Sequence, residues 1–443
     1  MFPRRMNRPG WIDAPRQSLG QFERLAAFAA TAQADGLTHT LVCGMGGSSL
    51  APRVLATVFD RPALTVLDST DPAAVLAAER WHDPGETLYL IASKSGTTVE
   101  TMAAYRYFAA RARPDQFVAI TDPGTPLATL GRESGFRAVF PHPADVGGRY
   151  AALTVVGMLP AALIEVDGSA LLQRALGVDV AAAKTLGIRI AEAAATGRDK
   201  LVLRPPPPVA SLASWIEQLV AESTGKDGRG VLPVVGGPET AARLPDVQVV
   251  TDYSTDPLDI GAEVLRWEYA TWALCERLGV NAFNQPDVEA AKAFARAEFE
   301  GGKQARPAQL PTLSSDALRR AAKPRDYLAI LAFLPPTPAI EARLETVREA
   351  WGRSLGVVST LGFGPRYLHS TGQLHKGGPN TGLFLVITSD DAVDIQIPGM
   401  GRTFGELKRA QALGDIQALL AKGRRVTHIH LARPEEVTAL AAG

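Results

Sequence analysis

Hydroxyl side chains and glycine are concentrated in two short stretches, CGMGGSS at 43–49 and SKSGTT at 93–98, each directly behind an apolar, β-branched run. A strand-to-helix junction of that make-up presents backbone N–H groups and hydroxyls at the positive end of a helix macrodipole, which suits a phosphate. In SKSGTT, Gly96 lets the backbone come close, while Ser93, Ser95, Thr97 and Thr98 can each donate a hydrogen bond. An N-cap cluster is the plainer reading, but capping needs only one or two hydroxyls. CGMGGSS approaches the dinucleotide fingerprint GxGxxG through Gly44 and Gly46, with Asp68 as a ribose-binding acid, yet Ser49 stands where the third glycine belongs. A tight turn at a sheet edge explains that loop equally well. Two such loops on neighbouring elements favour a small phosphorylated ligand over a dinucleotide. The phosphate loop GxxxxGK[ST] is absent, so nucleotide phosphoryl transfer has no support.

Groups for proton chemistry lie elsewhere. Gln218 and Glu222 stand four residues apart in SWIEQLVAESTGK, on one face of a helix that stops at the turn signals Thr224 and Gly225. A carboxylate at a helix end can reach a substrate; in isolation it reads as a solvated glutamate. Arg149 follows two glycines in DVGGRYAALTVVG, either facing developing negative charge or forming a structural ion pair. Of the seven histidines, His39, His428 and His430 lie in strand-like runs, His82 and His142 in turn-like contexts, and His369 and His375 in RYLHSTGQLHKGG.

Elements able to hold these groups follow from periodicity. From about residue 38 short β-branched runs alternate with helix-period stretches, the pattern of a parallel sheet wrapped by helices. Predicted strands are 38–43, 63–68, 86–92, 116–121 and 136–140. The alternation restarts at about 199 with DKLVLRPPPP, VLPVVGG and VQVVTDY, and helices are predicted near 209–222 and 261–277. Late strands are YLAILAFL, LFLVIT, AVDIQIP and THIHLA, with EGGKQARPAQLPTLSSD as a polar connection. The reading is an α/β chain with two doubly wound parallel-sheet domains, 1–185 and 186–443, the second carrying C-terminal helical and strand segments.

Composition narrows the function. At 443 residues, two domains sharing a crevice are the natural prior. Lys plus Arg and Asp plus Glu both number 46, leaving no net field to steer a polyanion, and nucleic-acid binding is set aside. The basic N-terminal stretch MFPRRMNRPGWIDAPRQ has no apolar run behind it, and no segment reaches bilayer-spanning length. Cys43 and Cys275 are far apart in apolar sequence, which fits buried thiols in a reducing cytoplasm.

GMGGSSLAP followed by SKSGTTVET resembles the sugar-isomerase (SIS) domain of the glucose-6-phosphate isomerase family. That resemblance implies a sugar phosphate held by Gly47, Ser48, Ser93, Ser95 and Thr98, with Lys94 lending positive character. QLVAESTGK fits the family's Gln-x-x-x-Glu-Ser-x-Gly-Lys segment, implying Glu222 as base with Gln218 its neighbour. GGRYA resembles the Gly-Gly-Arg-aromatic signature, implying that Arg149 steadies the intermediate; Ala151 replaces the signature's serine. The family's ring-opening histidine lies four residues before a glutamine, as His369 does before Gln373, so His369 is preferred to His375. A family lysine near the C-terminus points to Lys408 in GRTFGELKRAQALGD, with a surface lysine as the equal alternative and Arg409 as rival. NAFNQPDVEAAK is similar to the signature Gln-x-Gly-Val-Glu-x-x-Lys through Gln285, Val288, Glu289 and Lys292, with Asp287 in place of glycine, and is read as architectural. TLGFGPRYLHSTGQLHKGG looks most like the isomerase half of bacterial transaldolase and isomerase fusions.

The resemblance implies a cytoplasmic aldose-ketose isomerase acting on glucose 6-phosphate and fructose 6-phosphate. One carboxylate can move a proton between C1 and C2 through a cis-enediol(ate), with no metal or redox cofactor. The family also implies a homodimer whose ring-opening histidine enters from the partner subunit. Competing readings are an isomerase for another sugar phosphate such as mannose 6-phosphate, a non-catalytic sugar-phosphate sensor and, more distantly, a dinucleotide-dependent oxidoreductase.

Overall fold

A computed structural model describes residues 10–237, 242–301 and 310–441. Part of the basic N-terminal stretch and residues 302–309 of the polar connection at 300–316 therefore lie outside the described residues. The first sheet is wholly parallel, built from β1 (His39–Gly44), β2 (Leu64–Leu67), β3 (Thr87–Ala92), β4 (Phe117–Thr121) and β5 (Ala138–Pro141) in the order β2-β1-β3-β4-β5. These match the five runs expected from sequence. Alternate residues face opposite sides: Val42, Leu88, Leu90 and Ala92 enter one core, and Leu41, Cys43, Tyr89 and Ile91 the other. Burial on both faces is why the strands read as continuous apolar runs. Helix α1 (Gly47–Val58) follows β1 and α2 (Val99–Ala109) follows β3.

A later helix, α3 (Val180–Ala195), spans the division expected at 185/186, so that boundary falls inside a helix. Strands β6 (Lys200–Leu203), β7 (Leu232–Val235) and β8 (Val247–Val250) form a parallel sheet in the order β7-β6-β8. A second parallel sheet, β10-β9-β11-β14, uses β9 (Tyr327–Phe333), β10 (Val358–Phe363), β11 (Gly382–Ser389) and β14 (Arg425–Leu431). β7 lies against β10, and both sheets feed one core holding Val202, Val234, Leu331 and Val358.

Sequence reading missed β10, whose VSTLGF run is interrupted by Ser359, Thr360 and Gly362. It overextended AVDIQIP: only Gln396–Ile397 (β12) pairs, antiparallel with Arg402–Thr403 (β13), because Asp391 and Asp394 bind Lys408 and the Gly405 amide instead.

Two helices connect the sheets to the site. In α4 (Leu212–Thr224), Leu212, Trp215, Ile216 and Leu219 recur at helical spacing and enter the first core, while Ala221 enters the second. Fully burying side chains of this size is worth about 1.5–3 kcal/mol each. That double contact fixes the C-terminal turn of α4, which carries Glu222. α5 (Ile260–Leu278) packs on α3 and ends at Gly279 in the left-handed region, φ 71°. Beyond lie α6 (Pro286–Gly301), α7 (Gly372–Gly377) and α8 (Phe404–Ala421). Among the described residues no helix is long and apolar enough to cross a membrane.

Candidate active site

Because the chain steps from β1 outward to β2 and then back to β3, the loops leaving β1 and β3 part at a topological switch point, where open α/β sheets bind ligands. Both loops run into helix N-termini. Gly46 caps α1 at φ 58°, and a Cβ there would lie 2.7 Å from the Gln218 amide nitrogen and 2.9 Å from the His369 carbonyl. A Cβ on Gly47 would lie 1.9 Å from the Gly148 carbonyl oxygen. Glycine is required here because three segments converge on the loop.

In the second loop, Thr98 occupies the N-cap position of α2 but makes no side-chain cap bond. Its hydroxyl lies 2.9 Å from that of Ser93, which also accepts from the Gly96 amide. Ser95 and Thr97 pair at 3.0 Å and stay open to solvent. The half-buried Ser48 hydroxyl makes no hydrogen bond among the described residues. Lys94 turns away from the loop onto Asp122, at 2.6 Å, and the Ala144 carbonyl, which reduces its positive contribution.

Glu222 is 14 % exposed, with Arg149 Nη1 2.8 Å from one carboxylate oxygen and Gln218 Nε2 donating to the other at 3.1 Å. The 4 % exposed Arg149 also donates to the Ser223 hydroxyl and to the Ala282 and Asn284 carbonyls. Gln218 donates to the His369 carbonyl at 2.8 Å, so the base helix and the histidine segment are directly joined.

His369 Nε2 lies 2.9 Å from Glu100 Oε1, in the first turn of α2. Burial pushes the Glu100 carboxyl up, but His369, through its charge and hydrogen bond, outweighs it and leaves the group below the ordinary glutamate value. Gln411 donates to the same oxygen and accepts from Thr70. Within the chain, His369 itself makes this contact. Its segment is anchored on one side by a two-bond contact from Arg366 to Asp68 and on the other by Tyr367, which donates to Asp415. His375 is buried 3.0 Å from the Tyr327 hydroxyl, and burial pushes its imidazole well below the ordinary value.

Asp68, the sequence candidate for a ribose acid, is 2 % exposed and bonded to Arg53 and Arg366. Burial would raise its carboxyl, but Arg366 and Arg53 hold it down at about 2. It has no free oxygen to offer a ribose. Lys408 is equally committed: its ammonium, 4 % exposed, pairs with Asp71 and Asp391. Lys292 is half-exposed on α6 and close enough to lower the Glu100 carboxyl further. Glu100 and Gln411 escaped sequence reading. A glutamate two residues past a hydroxyl loop reads as ordinary helix-start charge, and nothing links Gln411 to residue 100 in sequence.

Residues 22–180 match the family model of phosphoglucose isomerase. The chain is 35 % identical over 218 residues, 44 % of its length, to the glucose-6-phosphate isomerase of Thermosynechococcus vestitus, and 30 % identical over 254 residues, 51 % of its length, to that of Rubrobacter xylanophilus. It spans 41 % and 59 % of those relatives' own lengths. A crystal structure of a glucose-6-phosphate isomerase from Chlamydia trachomatis shares the fold with TM-score 0.53 at 19 % identity, over 66 % of this chain and 75 % of that one. The matched residues 22–180 hold the first sheet, both glycine and hydroxyl loops and Arg149.

Proposed function

We propose that the protein interconverts glucose 6-phosphate and fructose 6-phosphate by proton transfer through a cis-enediol(ate). The observation that carries this reading is the Glu222 carboxylate, held between the Gln218 amide and the Arg149 guanidinium. The phosphate docks at the starts of α1 and α2, against Gly47, Ser48, Ser93, Ser95 and Thr98. His369, oriented by Glu100, moves the protons that open the ring. Glu222 takes the proton from C2 and returns it to C1, while Arg149 opposes the charge on the adjoining oxygens. The lysine role is better met by Lys292, half-exposed and near the Glu100–His369 pair, than by Lys408, locked between two carboxylates.

The same reading assigns the loops and Arg149 to an N-terminal domain and Glu222 and His369 to a C-terminal one, with the division expected at 185/186 falling within α3. A cytoplasmic setting is supported by the buried thiols Cys43 and Cys275, and a homodimer by the family resemblance alone.

The test is conversion of fructose 6-phosphate in deuterated water by wild type and Glu222→Gln. Deuterium entering C2 with wild type and not with the variant is expected. Equal exchange by both would remove Glu222 from its role, and saturable binding without turnover would favour a sensor.

A further inference from the structure

Four lysines are almost fully buried: Lys200, Lys226, Lys376 and Lys408. Three pair with carboxylates, Lys200 with Asp199 and Asp246, Lys376 with Asp415, and Lys408 with Asp71 and Asp391. Among the described residues Lys226 makes no ion pair; its ammonium donates to two main-chain carbonyls, Ser223 at 2.8 Å and Asn281. A buried cation without a counter-charge is costly, and such groups concentrate where a site uses their charge.

Its two acceptors locate that use. Ser223 follows Glu222 in the last turn of α4, and its carbonyl also accepts from the Cys275 thiol of α5. Asn281 begins the segment whose Ala282 and Asn284 carbonyls receive Arg149, and Gln285 Oε1 accepts from the same guanidinium at 3.3 Å. Lys226 and Arg149 thus clip one segment, 281–285, to one helix end from two sides.

We propose that Lys226 is a positioning residue for the Glu222–Arg149 pair. It fixes the last turn of α4 against 281–285, beside the Glu222 carboxylate. This rests on the isomerase reading. The charged and titratable groups facing it are Arg149 from the turn at 148–150, Cys275 from α5, and Glu222 and Asp227 from its own segment. Burial first, and Arg149 second, push its ammonium down to about 7, so the charge is lost as pH rises through neutrality.

The test compares Lys226→Met and Lys226→Arg with wild type in the pH profile of kcat/KM for fructose 6-phosphate, and in the position of the Glu222 carboxyl NMR signal. Lys226→Met is expected to lower kcat by about 10- to 100-fold with KM little changed, the effect of a misplaced reacting group. It should also shift the Glu222 carboxyl signal. Lys226→Arg, charged throughout, should restore kcat and lack any alkaline fall seen in wild type. Inorganic phosphate binding and the far-UV spectrum, unchanged in both variants, show that the fold and loops survive. An unmoved Glu222 signal in Lys226→Met overturns the inference. A moved signal in a protein that does not turn over the sugar leaves it standing and sinks the isomerase reading.

Discussion

The Arg149 guanidinium lies 2.8 Å from the Glu222 carboxylate although the two residues come from distant segments, one from the turn after β5 and the other from the end of α4. Arg149 has further donors committed to the Ser223 hydroxyl and to carbonyls at 282 and 284, so its plane is fixed before substrate arrives. Arg149→Leu should lower kcat by about 10²–10³-fold, as when a fixed donor to developing charge is removed. Arg149→Lys should recover little, because an ammonium cannot reproduce a planar fork. Steady-state kinetics on fructose 6-phosphate checks both.

Glu100 and His369 form a second pair, 2.9 Å apart. Because the folded Glu100 carboxyl lies below its ordinary value of 4.5, the pair contributes stability that is present above about that pH and lost as pH falls through the folded value. Glu100→Gln should therefore be less stable than wild type at neutrality, with the gap closing on acidification. Urea unfolding at neutral and acid pH reads this out. Turnover should fall on the order of 10-fold or more, the scale of a disturbed acid–base group.

Much of this arrangement was legible in the sequence, for identifiable reasons. The first sheet is buried on both faces, so β1 and β3 appear as unbroken β-branched runs, and glycine and hydroxyl loops mark their ends. β10 was not legible because Ser359, Thr360 and Gly362 break its apolar run even though its neighbours bury it. Long-range pairings were not legible either: Thr70 meets Gln411 across 341 positions, and Lys226 meets Asn281 across 55. Local patterns name a residue's type and element, whereas its partner is decided by packing between distant segments.

The two candidate lysines make opposite predictions. Lys408 is 4 % exposed between Asp71 and Asp391, so Lys408→Met leaves two carboxylates without their cation. A loss of about 3–5 kcal/mol in stability is expected, measured by denaturant unfolding. Lys292 is half-exposed and, among the described residues, bonded only to Glu289. Lys292→Ala should leave stability within about 0.5 kcal/mol and reduce turnover by about 10-fold or more. A stable, fully active Lys292→Ala would return the role to another residue.

Gly47 tests the phosphate loop by geometry alone. An added methyl would sit 1.9 Å from the Gly148 carbonyl oxygen, and backbone on both sides leaves no flexible chain end to yield. Gly47→Ala should push the start of α1 away from the turn that carries Arg149, at a cost of about 1–3 kcal/mol. Inorganic phosphate binding should weaken and KM rise. Gly124→Ala is the control: no atom lies within 4 Å of its added Cβ, and the strain comes only from φ 79°. It should lose stability without losing phosphate binding.

Lys226 predicts a pH dependence of the same sign as that of Glu100, in a higher pH window. The unfolded lysine keeps its proton up to its ordinary value of 10.5, whereas the buried one releases it near 7. Between those values the unfolded state holds more protons, so this group makes stability rise with pH across the window. Lys226→Met removes the titration, and its stability relative to wild type should therefore be most favourable near pH 7 and decline as pH rises. Parallel urea titrations of the two proteins at neutral and alkaline pH measure the difference, in which groups common to both cancel. A difference independent of pH would mean that Lys226 keeps an ordinary ammonium in the fold, and that it meets a counter-charge there.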